Sequence, residues 1–127
     1  MKNKIIRVIA AVPGLVMLQG GVSFLINPEQ QVSNLGMTLL DGVGRSTQLG
    51  DLAAFFIGSA VFIFMGAVLS KGRWLYAGAM LIGGAAMMRI LAALVAGAEM
   101  ATQFIVAELV MTAWLCACAF FVDKTTE

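Results

Sequence analysis

The chain contains no histidine. That absence removes imidazole-ligated haem and every acid–base scheme in which a histidine carries the proton. Cysteine is nearly absent too: Cys116 and Cys118 stand two apart in a stretch that reads as helical, so their side chains leave on different faces and do not readily bridge. Two thiols without an imidazole make a poor ligand set, so both read as small buried apolar residues, and neither a metal nor a cofactor is expected. Charge is scarce as well. Only 12% of the residues are charged, the net charge is +1, and no basic cluster follows the first few residues, which argues against a nucleic-acid partner.

What the chain does have is apolar surface. Its 127 residues are 61% hydrophobic and its mean hydropathy is +0.95, far too apolar for a water-soluble domain of this size. Four apolar stretches, at about residues 5–26, 47–70, 74–96 and 101–122, each reach the roughly 20 residues that cross a bilayer's hydrocarbon core. With their connections they occupy nearly everything, so residues 1–127 read as a single transmembrane domain, an all-α integral membrane four-helix bundle whose first partner is the lipid bilayer.

Lys2 and Lys4 ahead of the first stretch and Arg7 at its start look like the basic region of a signal peptide, but no small-x-small cleavage site appears before Gln19, and an uncleaved first span is expected. Pro13, one of only two prolines, is followed by Gly14 and is expected to bend that span. Asn27-Pro28-Glu29-Gln30 then reads as the start of a short helix: Asn27 can cap, Pro28 suits the first helical position, Gln30 can reach back, and Gly36 is a plausible stop. Val32, Leu35, Met37, Leu39 and Leu40 make this connection apolar, so it is expected on the bilayer surface or folded over the mouth of the bundle. Lys71, Gly72 and Arg73 form a tight basic turn, with Trp74 and Tyr76 where an aromatic belt belongs. With both termini in the cytoplasm, Lys2, Lys4, Arg7, Lys71, Arg73 and Lys124 all fall inside and only Arg45 falls outside. The long first loop is therefore outward-facing.

One charge cannot avoid the membrane. Arg89 sits deep in the third stretch among Gly83, Gly84, Ala85, Ala86, Ala92 and Ala93, and an unpaired guanidinium in hydrocarbon costs a few kcal/mol or more, so it needs a partner. Glu108 on the fourth stretch is the available one. Arg89 lies seven residues before Ala96, Glu108 seven after Ala101 and Gln19 seven before Ile26, which at 1.5 Å per residue sets each about 10 Å below the outer end of its helix. Asp51 is expected slightly above them, with Thr112 and Ser23 one turn from Glu108 and Gln19. Arg89, Glu108, Asp51, Gln19, Thr112 and Ser23 thus form a candidate polar layer, which serves either as a buried salt bridge fixing helix register or as an outward-opening polar pocket. The methionines, the Phe55, Phe56, Phe62 and Phe64 group and the paired glycines read as packing. Trp114, near mid-depth, is out of place for a belt residue and suggests a contact with another chain.

The block Gly44-Arg45-Ser46-Thr47-Gln48-Leu49-Gly50-Asp51-Leu52-Ala53-Ala54-Phe55-Phe56, followed by Arg73-Trp74-Leu75, Arg89 and Glu108-Leu109, resembles a family of small four-span bacterial inner-membrane proteins catalogued as a domain of unknown function. The resemblance covers essentially the whole chain, including Asn27-Pro28, and the family's motif positions fall on Gly50, Asp51, Arg89 and Glu108. It implies a multi-pass fold in the bacterial inner membrane, with a short interfacial helix in the periplasmic first loop. It implies no activity.

Three functions follow as expectations. The first is a non-catalytic membrane module, an accessory or scaffold subunit or a lipid-headgroup-binding bundle, working as a homo-oligomer or within a larger membrane complex and able to hold a lipid or small anionic ligand. The alternative is a small oligomeric transporter of amphiphilic or anionic solutes using Glu108 and Asp51, although a carboxylate committed to an arginine is a poor proton carrier. An enzyme acting on lipid is the least supported, because no nucleophile stands beside a recognisable base.

Overall fold

The computed structural model describes residues 1–126 and is all-helical. Helix α1 spans Lys2–Ile26, α2 Pro28–Asn34, α3 Gly42–Leu69, α4 Gly72–Val95 and α5 Thr102–Thr126. Helices α1, α3, α4 and α5 are each long and apolar enough to cross a membrane, and the chain is a multi-pass membrane protein on that ground. Helix α1 continues through Pro13. Helix α3 begins at Gly42 and α5 runs to Thr126, so both extend past the apolar windows that the sequence marks.

The four long helices alternate in direction and close a ring in which each neighbours the next, with α1 lying most extensively on α3 and α4 on α5. One end of the bundle carries the start of α1, the end of α5 and the α3–α4 turn; the other carries α2 and the α4–α5 connection. The first is the terminal end of the bundle and the second its loop end.

The terminal end is tied by polar side chains. The Arg7 guanidinium donates from Nε to the Ala67 carbonyl and from Nη2 to that of Val68, at 2.9 Å for the latter. A cation thereby satisfies the free carbonyls at the end of α3, where the helix dipole favours it. Asn3 Nδ2 donates to Ser70 Oγ (3.2 Å), and Thr125 Oγ1 donates to Asn3 Oδ1 (3.3 Å). Asp123 Oδ1 accepts the Gly72 backbone N–H at 2.8 Å, so α5 supplies the cap that Lys71 does not provide for α4. Asp123→Ala is expected to lower stability by about 1 kcal/mol, the usual cost of a lost N-cap. The check is the thermal midpoint in detergent, which should fall.

The main core is centred towards the same end. Ala10, Ala60, Ile63, Leu75, Leu115, Ala119 and Val122 are fully buried there and pack with Ala79, Ile82 and Cys118. A second cluster, Phe24, Val32 and Ala53, fastens α2 to α1 and α3 at the loop end, with Leu35, Met37 and Leu39 partly buried against it. The first connection therefore folds over the bundle rather than lying free. Asn27 takes the N-cap position of α2 without a capping side-chain bond, and Gln30 turns forward to Asn34 Oδ1 (2.9 Å) instead of back. Gly36 does end the segment, at a φ of +81° that glycine adopts without steric cost.

Packing fades towards the loop end of α4 and α5. The buried side of α4 stops at Ala86, and on α5 only Ile105 is buried before Leu115. The α1–α3 pair, by contrast, stays closed as far as Phe24 and α2. That inequality opens a cleft.

Candidate functional site

The cleft lies between the two helix pairs, has a volume of about 760 Å³, and is lined by α1, α3, α4, α5 and the first connection. Its size falls within the roughly 300–1,000 Å³ of small-molecule sites. Val16 and Met17 form one wall with Leu52, Phe55 and Phe56; Met88, Phe104 and Met111 contribute to the other, and Leu35 and Met37 reach in from the connection. Among the described residues, Arg89 and Glu108 are the only charged ones in its lining.

Small residues bring α4 and α5 together beneath the pair. A methyl group at Gly83 would stand 3.1 Å from Thr112 Cγ2, so the helices touch there closely. Two turns further along α4, Arg89 Nε donates to Glu108 Oε1 at 3.0 Å. Phe104, one turn before Glu108 on α5, offers its ring face to the same guanidinium, with Arg89 Cζ 4.9 Å from the centroid. Such a stack contributes about 0.5–2 kcal/mol, rising with desolvation. The pair is half-buried: the Arg89 side chain is 33% exposed and that of Glu108 13%.

The bonding is incomplete in a particular way. Among the described residues, Arg89 Nη1 and Nη2 have no acceptor and Glu108 Oε2 has no donor. A guanidinium presents five N–H donors in a fixed fork, and here only the Nε donor is used. A pair built purely as a clamp gains most when both Nη edges are also engaged. Both residues line the cleft, and these donors are left without a protein acceptor among the described residues.

The other residues of the anticipated layer do not converge on it. Thr112 Oγ1 donates to the Glu108 carbonyl at 2.7 Å, an internal helix bond that leaves the carboxylate alone. Gln19 Nε2 donates to Ser23 Oγ (3.1 Å), which in turn donates to the Gln19 carbonyl (2.8 Å), so these two serve each other on α1. Counted up from the bonds at the terminal end at 1.5 Å per residue, Gln19, Arg89 and Glu108 all stand about 23–26 Å high. Depth is therefore matched and direction is not. The buried side of α1 runs through Met17, Gly20, Gly21 and Phe24, and Gln19 lies off it, exposed. Asp51 is exposed as well, two positions before Ala53 and across α3 from the side that packs on Phe24 and Val32; it lines no part of the cleft.

The sequence does carry a signal for Phe104, which stands four residues before Glu108 on the same side of α5. Trp114 finds its partner within the chain: Nε1 donates to the Ile9 carbonyl of α1 at 3.0 Å. Two buried polar atoms, Ser59 Oγ and Trp74 Nε1, have no partner among the described residues, and nothing in their surroundings accounts for it. No protein-family model matches this chain, and no curated protein and no solved structure matches it either.

Proposed function

We propose that this chain is a non-catalytic module of the bacterial inner membrane that holds an amphiphile in the cleft, with the polar head at Arg89 and Glu108 and the tail against the apolar wall of α1 and α3. The distribution of Lys and Arg supports an orientation with the terminal end in the cytoplasm and the cleft nearer the periplasmic side. The observation that carries the reading is a guanidinium with unspent donors on the wall of an otherwise apolar cleft. Charged groups at membrane depth are costly and belong where a partner or a site needs them. A proton-coupled transporter draws less support, because Asp51 lies off the cleft and Glu108 is already bonded to Arg89.

The test is lipid retention. Protein purified in a neutral sugar detergent is expected to carry phospholipid in near-stoichiometric amount, measured by extraction and mass spectrometry. The variant with Arg89→Met and Glu108→Leu together should lose most of it. Equal retention by both proteins would remove the proposal.

A further inference from the structure

We infer that the head group selected by the cleft is zwitterionic, with its anionic part on the Arg89 Nη groups and a primary ammonium on Glu108 Oε2. The inference rests on the amphiphile reading above and specifies its ligand. Two observations define the choice. Among the described residues the lining contains one cation and one anion and no other charge, and each of the two has a bonding edge that none of them uses.

Charge balance then discriminates between heads. The Arg89–Glu108 pair is neutral as it stands, so a purely anionic head would leave the cleft with a net negative charge beside the Glu108 carboxylate. A purely cationic head would do the reverse beside Arg89. In a half-buried site such an excess is more costly than in water. A zwitterion laid antiparallel to the pair keeps the sum at zero and pairs both free edges, because its phosphate accepts from the Nη fork and its ammonium donates to Oε2. Phe104 holds one side of the guanidinium, and the unused Nη groups offer an incoming oxyanion the two parallel bonds of the fork. A quaternary ammonium has no N–H to give to Oε2. The ammonium must therefore be primary for the second contact to be a hydrogen bond.

Volume limits the rest of the ligand. At roughly 30 Å³ for a group the size of a water molecule, about 760 Å³ admits the head and the nearer part of one acyl chain. A second chain would lie outside, in the bilayer.

The experiment titrates the full-length protein, in a neutral sugar detergent, with lysophospholipids that share one acyl chain and differ only in the head, and reads apparent Kd by native mass spectrometry. The phosphoethanolamine head is expected to bind about tenfold more tightly than phosphoglycerol and phosphocholine, the worth of one charge-assisted hydrogen bond. Glu108→Gln keeps the side chain's size and an acceptor for Arg89 Nε, and it should shift the preference to phosphoglycerol. Phosphoglycerol binding as tightly as phosphoethanolamine to the unaltered protein would overturn the zwitterion while leaving the amphiphile reading intact. Phosphocholine binding equally well would overturn the ammonium–Glu108 bond. Binding of none of the three would overturn the amphiphile reading itself.

Discussion

Glu108→Leu alone will destabilise the protein by about 2–4 kcal/mol, whereas Arg89→Met combined with Glu108→Leu will cost less than about 1 kcal/mol; these values lie between those of exposed and fully buried ion pairs. The reasoning is one of uncompensated charge. Removing the carboxylate leaves a guanidinium that stays charged under all ordinary conditions, held at membrane depth with only the Phe104 ring for company. Removing both partners leaves two apolar side chains beside Met88 and Met111, in a lining that is already apolar. Partial exposure of Arg89, at 33%, keeps the expected loss below that of a sealed pair. A double-mutant cycle followed by unfolding in mixed micelles measures the coupling directly. Stability and binding then separate in a useful way: the double variant should fold and yet fail to retain lipid. A pair that acted only as a clamp would allow the double variant both to fold and to keep its lipid.

Gly21→Val will destabilise by about 3 kcal/mol, at the upper end of the range for overpacking. A Cβ at position 21 would stand 2.5 Å from Ile57 Cγ1 and 3.1 Å from the Ile57 backbone nitrogen. The isoleucine side chain can turn away, but the backbone of α3 cannot. The contact belongs to the α1–α3 pair, which forms the apolar wall of the cleft and carries α2, so its loss should loosen the site as well as the fold. Gly58 on α3 has no atom within 4 Å of such a Cβ, and Gly58→Val serves as the control. Thermal midpoints of the two variants should differ by several degrees, with Gly58→Val close to the unaltered protein.

Much of this architecture is legible in the sequence, because the bilayer fixes what a spanning segment must look like. Apolar length sets the spans, and a constant rise per residue sets depth, which is how Arg89 and Glu108 can be matched across two helices. Direction around a helix axis is harder. Gln19 and Asp51 stand at suitable heights and face elsewhere, since the glycines at 20 and 21 and Ala53 turn those faces of α1 and α3 towards their neighbours. Nor do apolar windows report tertiary caps. Asp123 looks like part of a polar tail until Gly72 is brought to it from another turn, and Arg7 looks like a topological signal until the end of α3 comes within its reach. The cleft itself has no local signature. It arises because α1 and α3 stay packed to the loop end while α4 and α5 do not, a comparison between pairs that only the assembled bundle allows.

The most direct test uses a zwitterionic lysolipid carrying a diazirine in its acyl chain, photolysed with the purified protein, with adducts mapped by tandem mass spectrometry. Occupation of the cleft predicts adducts on Val16, Phe56 and Met88, which line it, and their disappearance when Arg89→Met and Glu108→Leu are combined. Adducts confined to outward-facing residues such as Val61 and Leu94, unchanged in the double variant, would contradict it.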